Sequence, residues 1–126
     1  MIEPAEKIES HRDLIVWQRA MDLAVTAYQV TSQFPREETY GLSSQLRRAA
    51  VSVASNIAEG YGRASTGEYI QFLGMARGSN LELQTQLEIA GRLGIAESER
   101  LERAHALSGE VGKMLVSLMR KLGSTR

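Results

Sequence analysis

The sequence contains no cysteine and only two prolines, Pro4 and Pro35. The lack of cysteine excludes disulfides, thiolate catalysis and cysteine-ligated zinc sites. The lack of proline after residue 35 leaves residues 36 to 126 free to form long helices. No stretch approaches the roughly 20 apolar residues of a membrane span, and the polar start does not resemble a signal peptide. These absences predict a cytoplasmic, helical protein with no membrane partner.

An excess of charge of one sign is also lacking. Fifteen Lys and Arg residues balance fifteen Asp and Glu residues. Because nonspecific duplex binders carry a basic excess, this balance argues against such a binder. The basic residues are, however, twelve arginines and only three lysines. Arginine forms fixed bidentate pairs with carboxylates or phosphates, so this bias fits either ordered ion pairs or anion contacts.

The chain of 126 residues has the length of one domain. We expect a flexible polar tail over residues 1–12 and a helical domain over 13–123. The apolar spacing and the breakers predict helices over about 14–33, 40–59, 65–94 and 97–122. Gly60-Tyr61-Gly62 is expected to end the second helix with a left-handed glycine cap, and a capping box at Ser65–Glu68 to open the third. Long helices with short connections predict an all-α, up-down-up-down antiparallel four-helix bundle.

The first helix is apolar over an arc of about 200°, whereas a helix covering one core needs roughly 100°. Two adjoining stripes form this arc: Val16, Ala20, Leu23, Ala27 and Val30 in one, and Trp17, Met21, Ala24, Tyr28 and Thr31 in the other. The width favours a second buried contact. We therefore predict a homo-oligomer with Val16, Trp17 and Leu23 at the subunit contact; the alternative is a deeply seated helix in a monomer.

A polar stripe flanks the apolar face of the second helix. Its members recur every three or four residues: Gln45, Arg48, Ser52, Asn56, Glu59 and Arg63. Glu82 lies on a comparable flank of the third helix, where it is placed to pair with Arg48. Polar groups at a packing boundary need partners, so we interpret Gln45, Arg48, Ser52, Asn56, Glu59 and Glu82 as a structural hydrogen-bond network. A binding or catalytic site is the alternative.

Catalytic and metal templates do not fit. Glu102 and His105 match one E-x-x-H motif, but a di-iron bundle needs two, and the other histidine, His11, precedes the first helix. The histidines have no serine and aspartate arranged as in a hydrolase. Gly60-Tyr61-Gly62 follows no strand, so it is not a dinucleotide fingerprint. We predict no enzyme activity, no metal and no cofactor.

Four residues near helix ends are candidates for binding nucleic acid. Arg63 lies beside the amide groups at the start of the third helix, where an anion can bind. Tyr40, Tyr61 and Tyr69 also lie near helix ends and are able to stack on bases. The alternative for these tyrosines is that they seal the ends of the core.

Several segments resemble the bacterial four helix bundle protein family, also called the 23S rRNA-intervening-sequence protein family. The most specific is the string R-R-A-A-x-S-x-x-S-N-I-A-E-G over residues 47–60; residues 13–18, 34–35 and 76–82 match other blocks. The resemblance covers about residues 13 to 122. It implies a four-helix bundle that assembles as a homo-oligomer, with a pentameric ring as the favoured assembly. It also implies no known enzyme activity. Some members are encoded inside insertions in rRNA genes, and similar accessory proteins of diversity-generating retroelements bind nucleic acid through a basic surface.

Two functions follow from these observations. The first is a non-enzymatic, self-assembling protein that binds structured RNA or DNA through Arg47, Arg63 and Arg77. The alternative is an oligomeric scaffold that binds another protein. If the arginines form one continuous surface, nucleic-acid binding is favoured; if each one is matched to a carboxylate, the scaffold is favoured.

Overall fold

The computed structural model describes residues 7–124, and the side chains of residues 7–123. It contains four helices: α1 (Ile15–Thr31), α2 (Leu42–Tyr61), α3 (Thr66–Leu93) and α4 (Ser98–Ser124). Short 3-10 turns precede α1 at His11–Asp13 and α2 at Arg36–Glu38. Each helix packs against its neighbours in sequence, and α1 also packs against α4, whereas the diagonal pairs make no contact within the described residues. This arrangement confirms the predicted all-α four-helix bundle.

The core consists of one apolar stripe from each helix. Its largest fully buried side chains are Leu23 of α1, Leu46 and Ile57 of α2, Leu73, Leu83 and Leu87 of α3, and Leu115 of α4. Burial of each contributes about 1.5–3 kcal/mol to the stability of the folded chain. The α2 stripe also carries small buried residues, Ala49, Ala50 and Ala54, which let the neighbouring helices approach closely.

The helix ends follow the sequence signals except at the end of α2. The side chain of Ser65 accepts a hydrogen bond from the amide of Glu68, and Gly94 ends α3 in the left-handed conformation with φ of 68°. The predicted left-handed cap in Gly60-Tyr61-Gly62 is wrong, because Gly62 has φ of −79°. Gly60 has a different role. A Cβ atom there would lie 2.8 Å from Cβ of Phe72, so glycine permits the contact between α2 and α3.

Polar contacts join the helices at each of the four packed interfaces. Arg47 Nε of α2 donates to Thr31 Oγ1 of α1 at 2.7 Å, and the hydroxyls of Ser52 in α2 and Ser79 in α3 lie 2.8 Å apart. Between α3 and α4, Asn80 pairs with Ser108; between α1 and α4, Arg19 Nε donates to Glu110 at 2.9 Å. Apolar stripes tolerate sliding, so these directional contacts fix the register of the helices.

The predicted tail over residues 1–12 is described only in its second half. Residues 1–6 lie outside the described residues. Ser10 caps the 3-10 turn, the ring of His11 lies edge-on to Trp17 at 4.9 Å, and Arg12 lies over the same ring at 5.8 Å. The end of the predicted tail is therefore packed onto the start of α1.

Candidate functional site

The predicted subunit-contact residues of α1 do not lie on an outer surface. Val16 is 5% exposed and Leu23 is 0% exposed, both within the core of a single chain. Their assignment to a subunit contact is corrected, because the packing of α1 onto its own bundle already covers them. Trp17 is half-buried beneath His11 and Arg12. The exposed apolar side chains of α1 lie on other positions: Ile15, Met21, Val25 and Tyr28.

The polar stripe of α2 divides into local contacts. Asn56 Nδ2 donates to the backbone oxygen of Ser52 at 2.9 Å and to its hydroxyl at 3.0 Å, and Ser52 contacts Ser79. Glu59 pairs instead with Arg63, which lies just beyond the end of α2, at 2.8 Å. The structural interpretation therefore applies to the middle of the stripe, where α2 meets α3.

The pair expected between Arg48 and Glu82 is not formed. Glu82 accepts a hydrogen bond from Gln86 on its own helix, at 3.3 Å. Gln45 and Arg48 are exposed, and neither has a side-chain hydrogen bond or ion pair among the described residues.

The three candidate arginines lie on three different surfaces. Arg47 contacts α1, with its guanidinium carbon 4.6 Å from the centre of the Tyr28 ring. Arg63 pairs with Glu59 and covers the ring of Phe72 at 4.4 Å. Arg77 is exposed and faces α4. They do not form one continuous surface, and of the three only Arg63 is matched to a carboxylate among the described residues.

Arg77 lies in an open groove of about 410 Å³ between α3 and α4, here called the α3/α4 groove. Lys113 and Arg120 of α4 line the same groove, and no aspartate or glutamate does. None of these three cations forms an ion pair within the described residues. The groove is therefore a local excess of positive charge on a chain of zero net charge.

Helical spacing brings these cations together. Lys113 and Arg120 are seven residues apart, which places them two turns apart on one face of α4, at about 10.5 Å along its axis. Gly109 and Gly112 lie on the same face and leave the floor of the groove open. Sequence reasoning found Arg77 and missed Lys113 and Arg120. The seven-residue spacing of Lys113 and Arg120 was visible in the sequence and places both on one face of α4. Whether that face lies beside Arg77 depends on the register between α3 and α4, which the spacing does not give.

A second open groove, of about 600 Å³, runs along α2 and is here called the α2 groove. It is lined by Tyr28, Thr39, Tyr40, Ser44, Arg47, Arg48, Val51 and Ser52. The three candidate tyrosines differ in their exposure: Tyr40 is 96% exposed, whereas Tyr61 and Tyr69 pack edge-to-face with ring centres 6.1 Å apart. Burial raises the pKa of Tyr69, and Tyr61 adds to the effect. Only Tyr40 thus offers an open ring face.

Within residues 7–124, no three His, Cys, Asp or Glu side chains lie close enough to share a metal ion. Over the same range, no helix has the length and apolar character needed to cross a membrane.

The fold and the two grooves define a four-helix bundle with separate basic surfaces. The chain belongs to the 23S rRNA-intervening sequence protein family, whose model matches residues 12–117. A solved structure of an S23 ribosomal protein family protein of unknown function, from Bacteroides thetaiotaomicron, is similar in fold, with a TM-score of 0.77 and 24% sequence identity. The match covers 83% of this chain and 98% of that one. No curated protein matches the chain. Neither the family description nor the name of the solved structure specifies an enzyme activity.

Proposed function

We propose that this protein is a non-enzymatic, cytoplasmic, self-assembling helical bundle that binds RNA or DNA through phosphate contacts in the α3/α4 groove. The observation that carries the proposal is the set of three cations, Arg77, Lys113 and Arg120, in a groove without a carboxylate. An anion entering the groove meets attraction from three side chains and repulsion from none of its lining residues. Membership of a family named after an rRNA insertion is consistent with this ligand.

The neutral net charge does not oppose local binding. Several carboxylates are already engaged by other arginines: Glu59 by Arg63, Glu88 by Arg92, and Glu97 by Arg100. These pairs cancel charge where they occur and leave the α3/α4 groove positive. Assembly into an oligomer, a pentamer by resemblance, would repeat the groove around one particle. Repeated weak sites raise the overall affinity without any new contact.

Self-assembly has support in the exposed apolar side chains. Ile15 and Val25 of α1, and Met75 and Leu93 of α3, are each at least half exposed. A contiguous exposed apolar patch is typical of protein contacts, and α1 and α3 each contribute exposed apolar side chains that a neighbouring subunit would cover.

A scaffold that binds another protein is the second candidate. It is favoured by an apolar groove of about 780 Å³ where α1 begins and α4 ends, lined mainly by Ile8, Leu14, Ile15, Met114 and Leu118. An amphipathic helix of a partner would place its apolar face in such a groove.

The test compares two triple variants that lose the same charge. One is Arg77→Gln, Lys113→Gln and Arg120→Gln; the matched control is Arg63→Gln, Arg92→Gln and Arg100→Gln, in which every replaced arginine already pairs with a carboxylate. Binding of labelled RNA and DNA is measured over a salt series. Each lost phosphate contact lowers the slope of log affinity against log salt by about 0.9 for duplex DNA and about 0.7 for single strands.

The groove variant is expected to lose two to three such contacts, and the control to bind as the parent does. Equal losses in both variants would mean that only net charge matters. No binding by the parent at about 50 mM salt, where phosphate contacts are strong, would leave the scaffold as the function.

A further inference from the structure

Tyr40 is an aromatic side chain almost entirely in solvent. It lies just before α2, is 96% exposed, and lines the α2 groove together with Arg47 and Arg48. An open aromatic ring is a stacking surface for a nucleic-acid base, and such stacking tolerates any base because each has a π-face.

The guanidinium of Arg47 is held in place with its outer nitrogens available. Its Nε donates to Thr31 Oγ1 at 2.7 Å, and its Cζ lies 4.6 Å from the centre of the Tyr28 ring. Within residues 7–124, its two terminal nitrogens have no hydrogen-bond partner. The side chain is thus already ordered before a ligand arrives, which lowers the entropic cost of binding.

The charge of the α2 groove selects an anion. Two arginines line it and no aspartate or glutamate does. Arg48 is exposed and has no ion pair among the described residues. Glu38, which lies nearby in sequence, directs its carboxylate to the amide of Leu42 at 3.2 Å and is not part of the lining. The groove therefore combines an aromatic face with two cations capable of holding a phosphate.

We propose that the α2 groove binds an unpaired nucleotide of a nucleic-acid strand, with the base stacked on Tyr40 and the phosphate held by Arg47 and Arg48. The inference rests on the proposed function, because the same strand is taken to supply the phosphates for the α3/α4 groove. Bases inside a duplex are stacked on one another and cannot reach Tyr40. The α2 groove thus gives a preference for single-stranded segments, loops and bulges over paired ones.

The two grooves are separable in an experiment. The α2 groove is formed by α2 with Tyr28 of α1, and the α3/α4 groove by the other two helices. No residue lines both. A change in Tyr40 therefore leaves the α3/α4 groove intact.

The experiment measures fluorescence anisotropy with two labelled probes, a single-stranded RNA oligonucleotide and the same sequence in a duplex. Unlabelled AMP is added as a competitor. The proteins are the parent, Tyr40→Ala, Tyr40→Phe, Arg48→Gln, and Gln71→Ala as an exposed polar control on α3. Size-exclusion chromatography of each protein records the assembly state. We expect Tyr40→Ala to weaken binding of the single strand by about 5- to 150-fold, the range for the loss of one stacked base, and to leave duplex binding unchanged.

Tyr40→Phe keeps the ring and should bind as the parent does, as should Gln71→Ala. Arg48→Gln should weaken single-strand binding and flatten its salt dependence. Equal effects of Tyr40→Ala on single strand and duplex, or none on either, would overturn the inference while leaving phosphate binding in the α3/α4 groove intact. A change of assembly state in Tyr40→Ala would identify a second copy of the chain as the occupant instead. AMP that displaces the strand at a concentration as low as the one at which the strand binds would identify a free nucleotide as the ligand. That result would also overturn the inference.

Discussion

Asn80 and Ser108 join α3 to α4 through two reciprocal hydrogen bonds in the core. Asn80 Nδ2 donates to the backbone oxygen of Ser108 at 2.9 Å, and the hydroxyl of Ser108 donates to Asn80 Oδ1 at 2.7 Å. Both residues are fully buried. Gly112 lies one turn further along α4, where a Cβ atom would be 3.2 Å from Asn80 Nδ2. This pair sets the register that places Arg77 of α3 in one groove with Lys113 of α4.

Replacement of Ser108 by alanine is expected to lower the free energy of unfolding by about 1–3 kcal/mol. The loss follows because Asn80 Oδ1 would remain buried without a donor. Urea denaturation followed by circular dichroism measures the change. Ser117→Ala, which removes an exposed hydroxyl from the same helix, is the control and should stay within about 0.5 kcal/mol of the parent. Equal stability of the two variants would show that the pair does not stabilise the fold.

Gly60→Ala is expected to destabilise the bundle, although alanine is the better helix former. The added Cβ would lie 2.8 Å from Cβ of Phe72 and 3.2 Å from Cδ1 of Tyr69, so α2 and α3 must move apart. Overpacking of this kind costs about 1–3 kcal/mol. The measurement is the thermal midpoint of Gly60→Ala beside Gly78→Ala, since no atom lies within 4 Å of a Cβ at residue 78. A raised midpoint in Gly60→Ala would contradict the close-packing role.

The sequence predicted the fold better than it predicted the surfaces. Leu46, Leu83 and Leu115 lie on stripes whose period is a local property of the sequence, so the four helices and the core were accessible. The exposure of Arg48 depends on how far α2 rotates relative to α3, which no local pattern encodes. Val16 was placed on the outside for a similar reason: a wide apolar arc does not reveal which part of it the chain itself covers.

Glu59→Ala is expected to change the free energy of unfolding by less than about 1 kcal/mol. The carboxylate pairs with Arg63 just beyond the end of α2, and both side chains are substantially exposed, so water and salt screen the interaction. Removal of one member of a buried charged pair would instead cost about 3–5 kcal/mol. Denaturation at low and high salt measures it. A loss in the larger range would mean that Glu59 has a buried partner, such as one in an assembled neighbour.

The bundle is expected to lose stability at alkaline pH because of Tyr69. Its pKa is raised in the folded chain, chiefly because burial disfavours the ionised ring. As pH rises, the Tyr69 hydroxyl therefore loses its proton first in the unfolded chain, near pH 10. The stability that Tyr69 contributes is complete below that pH and is lost as pH rises towards the pKa of the folded chain. The pH dependence of the unfolding midpoint should be shallower above pH 10 in Tyr69→Phe than in the parent. Tyr40→Phe removes an exposed hydroxyl and should leave the dependence unchanged.

Val25→Glu is expected to dissociate the protein into single chains without unfolding it. Val25 is 56% exposed, and Ile15, Met21 and Tyr28 expose further apolar surface on the same helix. A charge in the middle of a buried apolar contact is costly, whereas on a solvated face it is harmless. Val16→Glu and Leu23→Glu would not test this, because both positions lie in the core and a charge there would unfold the chain.

Gln45→Glu supplies the matched control for Val25→Glu, since it places the same charge on an exposed polar position of a different helix, α2. Sedimentation equilibrium at micromolar concentration should give several subunits for the parent and for Gln45→Glu, and a mass near the 13.9 kDa of one chain for Val25→Glu. Circular dichroism should show equal helix content in all three. A parent that sediments as a single chain would contradict self-assembly altogether. An assembled Val25→Glu would instead move the contact away from this face of α1, towards the exposed apolar side chains of α3.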